Sequence, residues 1–249
     1  MTTRNFFTRR SFLHLPLAGA AFAACGFGKA RADADGTTLL RRADRFRAPD
    51  ESFTFKATIA PPRGARLGME VMVRDRSRSL IVYGEPAAMR GQAILFVDRN
   101  MWAKMPNARR ILRIAPQQRI AGAAAHTDIA RTVFSDDYSV ASVGPVQSGR
   151  RVLELAPRER GVAYGRIDLE IMDGDARSVS ATYYAAGASR KMKTATFENF
   201  RDVLGFSRTT RMQIVDHLAG DEVTVMDFTD HKLIELPDIW FRPNHLERL

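Results

Sequence analysis

From residue 53 the chain alternates. Phe53, Phe55, Ala57 and Ile59 are separated by Thr54, Lys56 and Thr58, and after Pro61-Pro62-Arg63-Gly64 the same period returns in Leu67, Met69, Val71 and Val73. A period of two places one side of a strand in a core and the other outside it, so these residues predict a hairpin. Leu80-Ile81-Val82-Tyr83 and Ile94-Leu95-Phe96-Val97 are continuous apolar runs, as expected of more fully buried strands, with Pro86–Arg90 as the connector. A short strand around Trp102 turns at Pro106-Asn107 into Arg109–Ile114, where arginines are set among apolar residues. The rhythm resumes at Arg151–Leu155, at Ile167, Leu169 and Ile171, and at Val179–Tyr184, Lys191–Phe200, Arg208–Val215 and Glu222–Phe228. Asp173-Gly174 predicts a tight turn, with glycine supplying the positive φ; Gly187, Gly205 and Gly220-Asp221 separate the later strands. Strands in succession with short turns predict an antiparallel meander, without the helical crossovers of a parallel sheet.

Three stretches break the period. Thr38–Phe46 has Leu39, Leu40, Ala43 and Phe46 at helical spacing, with Thr37 or Thr38 as a cap. Residues 115–125 are small or polar and lead through a weakly helical Thr127–Phe134 to the acidic Ser135-Asp136-Asp137-Tyr138. The tail from Asp230 carries Pro237, Trp240-Phe241 and Pro243, with Asn244 as a cap for a last half-turn, and its apolar residues predict docking on the body. No repeat or low-complexity linker forces a boundary, so residues 33–249 are expected to form one domain.

Composition narrows the class. Apolar residues make up 45% of 249, enough for a sizeable core. The net charge of +10 suggests nucleic acid, but the first 32 residues hold five Lys/Arg and no acid, and without them the excess is +5. Those 32 residues read as an export signal, with basic Arg4–Arg10, apolar Ser11–Ala24, and Ala30-Arg31-Ala32 for cleavage after Ala32. Arg9 and Arg10, followed by Ser11-Phe12-Leu13, fit the twin-arginine route; an ordinary signal with two arginines fits too. Phe22-Ala23-Ala24-Cys25 is close to a lipid-attachment box, the alternative being an anchor at Cys25. Cleavage after Ala32 would leave a periplasmic protein without cysteine, held by its core alone.

Catalytic patterns are missing. His126, His217, His231 and His245 do not pair at metal-ligand spacing, and Asp216-His217 and Asp230-His231 read as polar strand ends unless the fold gathers them. There is no Gly-x-Ser-x-Gly elbow and no phosphate-binding glycine loop, so no enzyme, metal or cofactor is expected. Arg109, Arg110 and Arg113 allow two readings. Either they guard an exposed edge strand, or their guanidiniums meet Asp136 or Asp137, an anionic head group or a partner's acidic patch. The aromatic interleaving of a single-strand nucleic-acid platform is absent.

Asn100-Met101-Trp102, Met105-Pro106, Arg109–Ile114 and Phe134-Ser135-Asp136-Asp137-Tyr138 follow one another in order, and Thr182-Tyr183-Tyr184, Lys191-Met192-Lys193-Thr194 and Phe197 come later. From Leu39 to Leu249 this succession resembles the outer-membrane lipoprotein-sorting (LolA-like) family of bacterial periplasmic carriers. The resemblance implies an α+β, mainly β fold: a curved antiparallel sheet forming an unclosed half-barrel, with a few short helices as lid or plug. It implies lipid or lipoprotein acyl chains in the concavity, and as further partners an inner-membrane transporter or outer-membrane acceptor. Each buried methylene contributes roughly 0.8 kcal/mol, enough for affinity without directional contacts. The expected lining is Phe53, Phe55, Met69, Val71, Trp102, Met105, Leu112 and Phe134, with residues 121–134 as lid. Arg109, Arg110, Arg113, Asp136 and Asp137 are expected at the lid or a partner. The alternative is an accessory module docking on an envelope transporter, with a filled interior.

Overall fold

A computed structural model describes residues 27–106, 110–116, 118–187 and 189–248. Arg9, Arg10, Cys25, Asn107 and Arg109 lie outside them. The chain begins with α1 (Phe27–Asp44), then runs β1 (Phe53–Ala60), β2 (Leu67–Arg74), β3 (Arg78–Glu85), β4 (Ala93–Val97), β5 (Asn100–Lys104) and β6 (Ile111–Ile114). Next come the small hairpin β7 (Arg119–Ala121) and β8 (Ala124–Ala125), and α2 (His126–Ala130). The second run of strands is β9 (Tyr138–Val143), β10 (Arg150–Pro157), β11 (Arg166–Met172), β12 (Ser178–Tyr184), β13 (Lys191–Val203), β14 (Phe206–Asp216) and β15 (Glu222–Leu233). A 3-10 turn at Asp238–Phe241 and α3 (Pro243–Leu246) form the tail.

Thirteen strands make one antiparallel sheet in the order β6-β5-β4-β3-β2-β1-β15-β14-β13-β12-β11-β10-β9. The sheet is not closed: β6 and β9 are its two edges. It is the expected half-barrel, made of two meanders joined where β1 meets β15, with Ala57 opposite Phe228 on one side and Met69 on the other. The connection from β6 to β9 must cross from edge to edge, and its residues pack into the concavity with the largest buried cluster.

Alternation explains the two faces. Phe53, Phe55, Met69, Val71, Ile81, Tyr83, Ile94 and Phe96 are buried in the concave cluster, joined by Leu153, Ile167, Leu169, Tyr183 and Phe197 from the second meander. The continuous runs are buried on both faces, because Leu80 and Leu95 point the other way and pack with Leu236, Phe241 and Leu246 of the tail. The tail is anchored by charge as well: Arg78 reaches Asp238 (2.5 Å), Arg242 reaches the same carboxylate (3.1 Å), and Arg74 donates to the Leu236 carbonyl (2.6 Å).

Several expectations need correction. The first helix starts at Phe27 rather than at a threonine cap. It packs on β9 at Gly36, where a Cβ would lie 2.9 Å from Val140 Cγ1. Tyr138, expected as the end of an acidic segment, opens an edge strand, Tyr138–Val143. The hairpin at Asp173-Gly174 exists, but its left-handed residue is Ala176 (φ 64°), in a longer loop than a two-residue turn. The last helix begins at Pro243, a residue suited to a first helical turn, so Asn244 does not cap it.

Candidate ligand-binding cavity

The segment from Arg119 to Phe134 plugs the mouth of the half-barrel. Its hairpin sits directly on β15: Gly122 has φ 53°, and a Cβ there would lie 2.2 Å from Thr224 Oγ1, so the close approach requires glycine. The Ala123 amide donates to Thr224 Oγ1 (3.0 Å), and Arg119 pairs with buried Asp216 of β14 (2.5 Å).

The centre of the plug is ionic. Asp128 of α2 pairs with Lys193 of β13, both buried. Asp128 also accepts from the Tyr164 hydroxyl (2.8 Å) and the Ala125 amide (2.7 Å), while Lys193 donates to the Ala123 carbonyl (3.2 Å). Burial lowers the Lys193 pKa against the opposing pull of Asp128, and burial with the adjacent Asp128 charge holds the Tyr164 hydroxyl protonated well above its usual range. His126 faces the Gln118 carbonyl through Nδ1 (3.0 Å), which must therefore donate, leaving Nε2 to accept from Tyr83 (3.4 Å). Burial lowers the pKa of this imidazole.

The rim is tied on both sides. Ser79 donates to the Ala130 carbonyl (2.5 Å), and Asp44 at the end of α1 accepts the amides of Phe134 (2.7 Å) and Ser135 (2.9 Å). Burial raises the pKa of Asp44, those two amides opposing the shift. Arg131 grips Asp137 with two bonds (2.5 and 2.7 Å) and lies over Phe96.

Under this cover two voids of about 30 Å³ remain, each room for about one water. One is walled by Phe96, Phe134, Tyr164 and Tyr183, the other by Phe53, Phe55, Met212 and Phe228. Arg47 and Asp128 line both. Beyond the first, past Val162 and Tyr164, lies an open groove of about 700 Å³; beyond the second, past Phe228 and His231, one of about 550 Å³.

A LolA superfamily protein from Nitrosomonas europaea matches this architecture with a TM-score of 0.75 and 32% sequence identity, over 84% of this chain and 98% of its own. The chain belongs to the LolA superfamily. A family model described as an uncharacterized protein matches residues 75–248. A DUF1329 family protein from Desulfovibrio piger shares the fold (TM-score 0.71, 19% identity, 86% of this chain and 99% of the other). So does a domain named for outer membrane lipoprotein sorting, from Vibrio parahaemolyticus (0.70, 16%, 87% and 100%). No curated protein sequence matches.

Within this LolA-like half-barrel the expected lining residues separate. Phe53, Phe55, Met69, Val71 and Phe134 share the concave cluster. Trp102 does not: Met101 and Ala103 turn inward from β5, and Trp102 packs on the opposite face beside the tail. Met105 is 43% exposed and Leu112 55% exposed. Leu112 pairs with inward Ala103 and so keeps the concave side, at the open edge. The expected link from the edge arginines to the acidic segment is absent among the described residues. Arg110 is exposed, Arg113 binds Asn100, Asp136 lies 3.5 Å from Arg76, and Asp137 belongs to Arg131.

The histidines have separate settings. His217 joins Asp221 (2.6 Å) and Thr194 (2.9 Å), while His231 stacks on Phe55 (5.5 Å). No metal-holding cluster occurs among the described residues. Asp128, Lys193, Tyr164 and Arg47 were not expected as an interior polar site, although Lys193 stands in the succession that carries the resemblance and Asp128 in the expected lid. Lys193 alone carried a sign: it occupies the inward parity of Ala195 and Phe197, where a solvent-facing lysine does not belong.

Proposed function

We propose that this LolA-like chain is a non-catalytic carrier of the cell envelope that shelters the acyl chains of a lipoprotein or another lipid in its concavity. Residues 33–249 act in the periplasm as one unit after an export signal is removed, and residues 119–134 are the displaceable cover. The observation that carries this reading is the make-up of that cover. A permanent filling for an apolar trough would be large apolar side chains, which stabilise more than buried ions do. Here the middle of the cover is polar and ionic, with Asp128, Lys193, Tyr164 and His126 buried beside Ile129, Val133 and Phe134 and the small Ala123, Ala124 and Ala130. Such a cover leaves as a piece once its few polar ties exchange, uncovering a wall of Phe, Met, Val and Ile.

With the cover in place the voids are too small for an acyl chain, which favours a second reading, an accessory module whose filled sheet docks on an envelope transporter. Mass spectrometry of the protein isolated from native envelope without detergent separates the two. A stoichiometric lipid or acylated peptide is the carrier outcome and names the cargo. A protein that arrives empty, or with a membrane transporter alone, and takes up no apolar fluorescent probe after delipidation sinks the carrier reading.

A further inference from the structure

Arg47 follows α1 and stands in the wall between the two voids. Its guanidinium lies over Phe134 (4.2 Å) on the plug side and Phe197 (5.5 Å) on the sheet side. Its Nη1 is buried and makes no hydrogen bond. Asp44, which feels its charge, gives both carboxylate oxygens to backbone amides. Among the described residues no acid forms an ion pair with Arg47, whereas Lys193 and Arg131 each hold a carboxylate and buried Arg208 binds the Val203 and Leu204 carbonyls. An arginine cannot shed its proton, so a buried N–H without an acceptor is a standing cost that a bound oxygen anion would remove.

A second orphan lines the same space. Thr132 is 8% exposed, lines the second void, and its buried Oγ1 has no partner. The other walls include Phe53, Phe55, Met212 and Phe228, with Asp128 already paired to Lys193 and His231 at the side leading to the open groove. A strong donor and a hydroxyl in the lining of one void walled by aromatic rings suit a charged oxygen group attached to a hydrocarbon.

We infer that Arg47 and Thr132 receive the oxyanion, carboxylate or phosphate, of an amphiphile whose chain lies along the concavity; this rests on the carrier reading and names the chemistry of the cargo's polar end. A neutral ester would satisfy one hydrogen bond and leave the guanidinium uncompensated, so the site discriminates by charge.

The test is fluorescence titration of the full, delipidated chain with a polyene fatty acid and with its methyl ester, for wild type, Arg47→Met and Arg47→Lys. The wild type is expected to bind the acid at least about tenfold more tightly than the ester. Arg47→Met should lose about tenfold for the acid with the ester unchanged, and Arg47→Lys should regain part of the preference. Displacement by lysophosphatidate or by an unlabelled fatty acid distinguishes a phosphate from a carboxylate source, and displacement by neither counts against the site. Equal affinity for acid and ester, or equal losses of both in Arg47→Met, overturns the inference and leaves the carrier reading standing. Binding of neither ligand by the wild type overturns both. Should Arg47→Met fail to fold, the wild-type comparison and Arg47→Lys decide.

Discussion

The half-barrel has two covers, one on each face, and they differ in where their charges lie. The tail lies on the convex side with Leu236, Phe241 and Leu246 buried against Met72, Leu80 and Leu95, and its ion pairs are partly exposed at the margin. The plug lies on the concave side with Ile129, Val133, Phe134 and small residues in the core and its ions buried in the middle. Apolar contact is non-directional and degrades gradually, whereas a buried ionic tie is made or broken as a unit. The proposed function accordingly makes the tail cladding and the plug a closure, although both touch the same strands.

Three perturbations would break or sharpen that contrast, the largest first. Lys193→Met strands the Asp128 carboxylate in the interior and is expected to cost about 3–5 kcal/mol, much of it recovered by adding Asp128→Asn. Hydrogen exchange should place the loss in residues 119–134, with the tail unaffected; uniform loss across the sheet would mean that plug and sheet open together. Phe241→Ala should cost about 3 kcal/mol through lost burial and a cavity. Protease nicking near residues 236–248 with an unchanged plug is the expected result, and a loosened plug would make the covers one device.

Acid gives the smallest effect and separates the covers by pH. Burial holds the His126 pKa below 6.5, so the unfolded chain takes up this proton first, and stability from His126 is complete above pH 6.5 and declines as the pH falls below it. Asp238 is held below 3.8 by Arg78 and Arg242, so its contribution is present above that value and vanishes only as the pH falls through the lowered one. Exchange at pH 7.5, 5.5 and 3.5 should show the plug loosening first and the tail still docked at pH 5.5. The reverse order would contradict the assignment of His126 to the plug's ties.

The strands were legible because alternation is a local consequence of pleating. β1, β2, β11 and β13 carry their burial in their spelling. Which face a residue takes is not local where both faces are covered. Trp102 sits between inward Met101 and Ala103, and nothing near it in sequence announces that the tail, well over a hundred residues later, will cover the other side. The site was harder still. Asp128 and Lys193 meet across 65 positions, through a plug whose own sequence of alanines looks like a loop. Lys193 at an inward parity was a visible anomaly; its partner, and the isolation of Arg47, exist only once the chain is folded.

The meeting of β1 with β15 has a consequence for the order of assembly. Each meander pairs neighbours in sequence and can form early, but Phe53 cannot find Leu233 until nearly the whole chain has been synthesised. Closing so long a loop comes late, since its entropy must be overcome before its contacts contribute. Until then β1 and β15 are two bare ladders in one molecule, the stage at which a growing chain is most exposed to joining the wrong neighbour.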